Sequence, residues 1–99
     1  MFDKTAIIHP KAKIGVNTRI GAYSIIGENA CIGSDCIIHN HVNINGITKI
    51  GNNCKVFPFS SIGTIPQDLK FSGENSKLII GDHVTIREHV TINTGTLGG

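Results

Sequence analysis

Aliphatic residues recur at every sixth position through most of this 99-residue chain. The run breaks at Asp68 and Glu74 and then resumes in the same phase. A period of six sustained over this length is an internal repeat, and it constrains the fold more than any other feature. Its members are Ile8, Ile14, Ile20, Ile26, Ile32, Ile38, Ile44, Ile50, Val56, Ile62, Ile80, Ile86 and Ile92.

Each six-residue unit also has a small residue two positions before the aliphatic one, and often a glycine after it, as in Ala30-Cys31-Ile32-Gly33. Alternation over three residues predicts a very short β-strand with two inward side chains and one outward side chain. Glycine is expected to permit the corner that follows. A strand and corner of six residues cannot return as a hairpin, but it can coil.

Three such units make a triangular turn of 18 residues, so each strand lies on the strand 18 residues earlier, at about 4.8 Å. The predicted class is therefore all-β, a parallel β-helix with a three-sided cross-section. The spacing leaves the hand of the coil open, because the general rule favours right-handed crossovers. The composition agrees: 18 Ile but only 3 Leu and no Trp suit a narrow core of stacked β-branched side chains.

If the six-residue period continued through the interruption, Asp68 and Glu74 would lie in the core. Burying carboxylates without partners there is too costly. We therefore predict a loop projecting from the helix over about 64–78. Projecting loops on rigid scaffolds commonly carry function, and a surface insertion without function is the alternative. The loop also leaves open which sides of the prism Ile80, Ile86 and Ile92 occupy.

Outward residues fall into three groups when sorted by the 18-residue turn. The first group is free of charge and suggests a subunit interface, with ordinary strand exposure as the equal alternative. The groups are Ile7, Ile25, Asn43 and Ser61; Lys13, Cys31 and Lys49; and Arg19, Ile37 and Lys55.

Charge and cysteine content limit the function classes. A net charge of +2 is too small for a dedicated nucleic-acid binder, and no apolar run approaches the 18 or so residues of a membrane span. The three cysteines have no paired C-x-x-C spacing and fit a reduced compartment. Cys36 and Cys54 should stack one coil apart as core fillers. The five histidines are expected at exposed corners, in different phases of the turn and without forming a ladder; no metal or cofactor is predicted.

Six stretches resemble one family, the acyl-carrier-protein–UDP-N-acetylglucosamine O-acyltransferases, which have hexapeptide repeats. The stretches are 8–12 (IHPKA), 42–51 (VNINGITKIG), 56–63 (VFPFSSIG), 66–74 (PQDLKFSGE), 80–82 (IGD) and 85–88 (TIRE). The resemblance implies a left-handed parallel β-helix in a cytoplasmic homotrimer. It also implies transfer of an (R)-3-hydroxyacyl chain from acyl carrier protein to the 3-hydroxyl of UDP-N-acetylglucosamine, the first committed step of lipid A synthesis.

Carried over by position, the resemblance makes Asp68 a ligand of the sugar hydroxyls, with Gln67 beside it and Lys70 offering positive charge to the substrate. Asn93 stands where family members commonly have histidine. The family's catalytic histidine lies in later coils, so no residue here is assigned a catalytic role. The 99 residues are expected to be part of one β-helix domain, without the later coils and the C-terminal helices, and inactive alone.

The sequence is also compatible with two other functions. One is a different hexapeptide acyltransferase, either dependent on acetyl-CoA or transferring to nitrogen. The other is a β-helix without catalytic activity.

Overall fold

A computed structural model describes residues 1–64 and 77–93. Within them the chain forms thirteen short strands and no helix. Accordingly, the described residues contain no helix of the length and hydropathy needed to cross a membrane. The strands are β1 Ile7–Ile8, β2 Lys13–Ile14, β3 Arg19–Ile20, β4 Ile25–Ile26, β5 Ala30–Ile32, β6 Ile37–Ile38, β7 Asn43–Ile44, β8 Ile47–Ile50, β9 Lys55–Val56, β10 Ser61–Thr64, β11 Lys77–Ile80, β12 Thr85–Ile86 and β13 Thr91–Asn93.

The strands form three parallel sheets, and consecutive strands always belong to different sheets. The first sheet has the order β1-β4-β7-β10-β13, the second β11-β8-β5-β2 and the third β12-β9-β6-β3. Ile8 pairs with Ile26, and Ile26 with Ile44, so partners are 18 residues apart. The chain is therefore the predicted three-sided parallel β-helix, and the three groups of outward residues are confirmed.

The strands next to the predicted loop are longer than expected. β10 runs to Thr64 and β11 begins at Lys77, so both ends of the segment assigned to the loop belong to strands. Ile92 pairs with Ile62, Ile86 with Val56 and Ile80 with Ile50. These pairs assign the last three strands to sides of the prism that the sequence had left open.

The core is a set of aliphatic columns, one for each sheet, and Ile44 and Ile62 are completely buried. The small inward residues add a hydrogen bond to the coil above. Ser24 Oγ donates to the His39 carbonyl at 2.7 Å, and Ser60 Oγ donates to the Arg87 carbonyl at 2.7 Å. A small polar side chain at this position therefore satisfies a backbone acceptor that would otherwise be buried without a donor.

The thiols of Cys36 and Cys54 make the same contact as these hydroxyls. Cys36 Sγ lies 3.1 Å from the Gly51 carbonyl, and Cys54 Sγ lies 3.1 Å from the Gly81 carbonyl. Both cysteines are free and fully buried, which confirms their role as core fillers. Burial raises the pKa of the Cys36 thiol, which keeps it neutral and unreactive.

Most corner glycines are required for a different physical reason from the one predicted. Within the described residues only Gly46 and Gly63 have a positive φ among glycines, whereas Tyr23, Phe59 and other residues with side chains also adopt it. At Gly33, an added Cβ would lie 2.6 Å from the Gly51 carbonyl oxygen of the next coil. Such glycines are needed because neighbouring coils approach closely, not because the corner requires their backbone freedom.

Candidate functional site

The four predicted substrate-binding residues fall in two places. Gln67, Asp68 and Lys70 lie outside the described residues. Asn93 is exposed and ends β13, where its backbone pairs with that of Thr64 at the end of β10. The fold therefore brings Asn93 beside residue 64, the first residue of the predicted loop segment.

Strand β10 contains a β-bulge next to its last residue. Ser61 and Ile62 pair one-to-one with Thr91 and Ile92, but the next pair joins Thr64 to Asn93, so Gly63 is the extra residue. Its φ of +77° is in the left-handed region, which residues other than glycine seldom adopt. A bulge bends its strand and turns the following residues in a new direction.

A polar corner packs beneath this bulge. Thr48 Oγ1 donates to the Asn45 carbonyl at 2.8 Å, and Asn45 Nδ2 donates to Asn43 Oδ1 at 2.8 Å. Thr48 is buried, while both asparagines are half-buried. The corner between β7 and β8 is therefore held by short internal hydrogen bonds.

A stack of four rings runs along the corner between the third and first sheets. Ring centroids are 5.2 Å apart for Tyr23 and His41, 5.1 Å for His41 and Phe59, and 5.4 Å for Phe59 and His89. Each of the four residues has a positive φ. We call these four residues the ring ladder.

The expectation that all the histidines differ in phase is wrong for His41 and His89, which occupy one column with Phe59 between them. The first two steps of the ladder are 18 residues, as the period predicts. The last step is longer because it includes the inserted segment. The column could have been found by subtracting the length of the insertion from the later residue numbers. The sequence, however, does not show how many residues the insertion adds.

A second stack lies on the same corner. The rings of His39 and Phe57 are 4.7 Å apart, and the Arg87 guanidinium lies 4.2 Å from the centre of the Phe57 ring. Arg87 also pairs with Glu88 at 3.3 Å. This corner therefore displays rings and the Arg87–Glu88 ion pair to solvent, next to the outer face of the first sheet.

The outer face of the first sheet carries no charge in any described strand. Its outward residues pair in the order Ile7, Ile25, Asn43, Ser61 and Thr91. Ile7 is 65% exposed and Ile25 43% exposed. The face thus presents two aliphatic and three uncharged polar side chains, and Tyr23 of the ring ladder is 60% exposed at its edge.

No metal centre is found among the described residues, where no three His, Cys, Asp or Glu side chains come together in a suitable arrangement.

Comparison with known proteins agrees with this architecture. Residues 11–46 match the family model described as bacterial transferase hexapeptide (six repeats). The chain is 52% identical over 98 residues to the acyl-[acyl-carrier-protein]–UDP-N-acetylglucosamine O-acyltransferase of Thermodesulfovibrio yellowstonii, covering 99% of this chain and 38% of that protein. The enzyme of the same name from Rickettsia canadensis is 46% identical over 95 residues, or 96% of this chain and 36% of that protein.

A solved structure shows the same fold. The UDP-N-acetylglucosamine acyltransferase of Bacteroides fragilis superimposes with a TM-score of 0.94 at 48% identity, over 99% of this chain and 38% of that one. Fold and repeats together define a hexapeptide-repeat protein with a left-handed parallel β-helix. Within that class, the chain is homologous over nearly its whole length to the acyl-[acyl-carrier-protein]–UDP-N-acetylglucosamine O-acyltransferases, which confirms the resemblance drawn from the motifs. It spans a little over a third of the length of these relatives.

Proposed function

We propose that this chain supplies acceptor-binding residues to an enzyme that moves an (R)-3-hydroxyacyl chain from acyl carrier protein to the 3-hydroxyl of UDP-N-acetylglucosamine. This reaction is the first step of lipid A biosynthesis. The observation that carries the proposal is the 52% identity over 98 residues to a relative that is named for this transfer.

Four residues form the proposed acceptor site. The Asp68 carboxylate can accept hydrogen bonds from two sugar hydroxyls, and the Gln67 amide can both donate and accept. Lys70 offers a positive charge to the anionic nucleotide. Asn93 can hydrogen-bond to the substrate but cannot take a proton from it. The general base that activates the hydroxyl, which typically contributes 10²–10⁴-fold, is assigned to no residue of this chain.

We also propose that the working assembly is a cytoplasmic homotrimer with sites in the clefts between subunits. The outer face of the first sheet supports this proposal, because its described strands present Ile7 and Ile25 to solvent and no charged side chain. The exposed rings of Tyr23 and Phe59 in the ring ladder add apolar area at the edge of this face. Free thiols, including two that are fully buried, fit a reducing compartment.

A segment exchange tests the function. In the Thermodesulfovibrio yellowstonii enzyme, the segment matching this chain is replaced by these 99 residues, and transfer is measured with 3-hydroxyacyl carrier protein and UDP-N-acetylglucosamine. We expect the chimera to retain activity within about tenfold of the parent, because all the proposed acceptor-binding residues are of the right chemical type. The Asp68→Ala chimera should lose acceptor affinity, and Lys4→Ala on the exposed N-terminal segment serves as its matched control.

The choice of acyl donor distinguishes this function from that of other hexapeptide acyltransferases. The same chimera is assayed with acetyl-CoA in place of the acyl carrier protein thioester. A folded chimera that turns over only acetyl-CoA, or one that transfers nothing to UDP-N-acetylglucosamine, would contradict the proposal.

A further inference from the structure

The stacked column that follows the third sheet lacks a side chain in one coil. Each of three successive coils adds a planar group to this column, namely His39, Phe57 and Arg87. The register of the strands places Gly21 directly below His39, and Asp3 below Gly21. The His39 ring therefore has the Phe57 ring on one side and the level of a glycine on the other.

Gly21 cannot be replaced by a larger residue without moving the coil above it. An added Cβ would lie 2.8 Å from the Asn40 nitrogen and 2.8 Å from the His39 carbonyl carbon, which are both backbone atoms. The Gly21 amide also donates to the Ile38 carbonyl at 2.8 Å, which holds the two coils at this separation. Position 21 therefore offers no side chain that could continue the stack below His39.

An open cleft of about 490 Å³ lies at this level, and we call it the His39 cleft. Its lining consists of residues 1–3, 19–21 and 37–40. Since Phe57 does not line it, the cleft lies on the side of the His39 ring that faces away from Phe57. Its volume is within the range of small-molecule sites, about 300–1,000 Å³.

Two charged side chains of the His39 cleft are available to a ligand. Arg19 is exposed and forms no salt bridge with any residue that the structure describes. Asp3 Oδ1 accepts hydrogen bonds from the Thr5 hydroxyl at 2.6 Å and the Thr5 amide at 2.9 Å. These bonds lower the pKa of the Asp3 carboxyl, so that it is ionised at neutral pH, and they leave Oδ2 for another donor.

We propose that the His39 cleft binds a purine nucleotide, with the base stacked on the His39 ring at the level of Gly21, the phosphate against Arg19 and an amino group of the base donating to Asp3. A base is planar, as are the groups that already form the column. A guanidinium binds phosphate through charge-assisted hydrogen bonds, and a carboxylate accepts from an amino group.

This site is separate from the proposed acyl transfer. The His39 cleft lies on the outer side of the third sheet, whereas Asn93 ends a strand of the first sheet. The proposal therefore adds a second ligand site, and it uses only residues of the first three coils.

The first test is a titration of the 99-residue chain with adenosine monophosphate (AMP), followed by the NMR shifts of backbone amides. We expect saturable shifts at Gly21, His39 and Asn40, with a Kd below about 1 mM. Adenosine lacks the phosphate and ribose 5-phosphate lacks the ring, so each should bind at least about tenfold more weakly. If ribose 5-phosphate bound as tightly as AMP, Arg19 would merely attract phosphate and the proposal would be overturned.

Substitutions test the two main contacts separately. Arg19→Gln removes the cation and His39→Ala removes the stacking ring, and each should raise the Kd for AMP about tenfold or more. Lys55→Gln is the matched control for charge, because Lys55 lies on the same outer face two coils from Arg19. His89→Ala is the control for a lost ring, since His89 also stacks on a single phenylalanine but in the ring ladder.

Both controls should bind AMP like the parent. An unchanged Kd in Arg19→Gln, which alters only an exposed side chain, would refute the proposal even if His39→Ala did not fold.

The location of the shifts separates this proposal from the proposed function. Shifts confined to Thr91 and Asn93 would place AMP at the proposed acceptor site and contradict a separate nucleotide site. An inactive chimera would contradict the proposed function alone, because the titration measures binding to the third sheet and not acyl transfer.

Discussion

Ile62 lies directly opposite Ile92 in neighbouring coils, although thirty residues separate them instead of the usual eighteen. The insertion between β10 and β11 therefore adds twelve residues, which is two hexads, and leaves the phase of every later strand intact. As a result, each aliphatic column resumes in register on the far side of the interruption.

Replacing a column residue should unfold the chain. Ile44 is completely buried, so Ile44→Asp loses about 2–5 kcal/mol of packing and adds the further cost of a carboxyl without a partner. That sum approaches the total stability of a small domain, about 5–15 kcal/mol. Thermal unfolding followed by circular dichroism should show no native transition for this variant. Ile79→Asp, at an outward position that is 72% exposed and opposite Lys49, should melt close to the parent.

A charge on the uncharged face should dissociate the proposed trimer. We expect Ile25→Lys to keep the fold, because the side chain points outward and is 43% exposed, and to sediment as a monomer because a buried ammonium without a partner opposes association. Ile79→Lys makes the same exchange on the second sheet and should leave the assembly unchanged. A trimer that survives Ile25→Lys at low concentration would place the interface on another side of the prism.

The ring ladder should contribute measurably to stability. Phe59 stacks on both His41 and His89, so Phe59→Leu is expected to cost about 1–2 kcal/mol in the free energy of unfolding by urea. Leucine is as disfavoured as phenylalanine at the φ of 65°, so the comparison isolates the ring contacts. Tyr23→Phe keeps its ring and should be neutral. Equal unfolding midpoints for Phe59→Leu and the parent would show that the stacking adds nothing.

The cysteines should differ in reactivity toward iodoacetamide. Cys31 is partly exposed, whereas Cys36 and Cys54 are fully buried. Burial raises the pKa of the Cys36 thiol, so raising the pH to 8 should still leave it largely protonated and unreactive. Mass spectrometry should therefore find one modified cysteine in the native protein and three in denaturant. Labelling of Cys36 as fast as Cys31 would contradict the packing described above.

Much of the fold could be predicted because its signals are local. The alternation within each hexad shows which side chain points inward, and the period of six shows that 18 residues complete a turn. That is why Cys36 and Cys54 could be placed in the core and Ile25 on an uncharged outer face. The proposed site was harder to predict, because Asp68 and its neighbours could be identified only by resemblance. The need for glycine at position 63 was not predictable either, since it depends on atoms of Asn45 and Thr48 in another coil.

The sequence alone determined that this chain is a β-helix with aliphatic columns, since inward and outward positions follow from neighbouring residues. Only the tertiary structure decided which residues share a column after the interruption, and it thereby revealed His41 and His89 in one ladder and Asn93 beside Thr64. The physical reason is that the column a later strand joins depends on which earlier strand it pairs with. The pairing of β10 with β13 and of β11 with β8 joins residues thirty positions apart, and such a long-range contact is not visible in the local pattern.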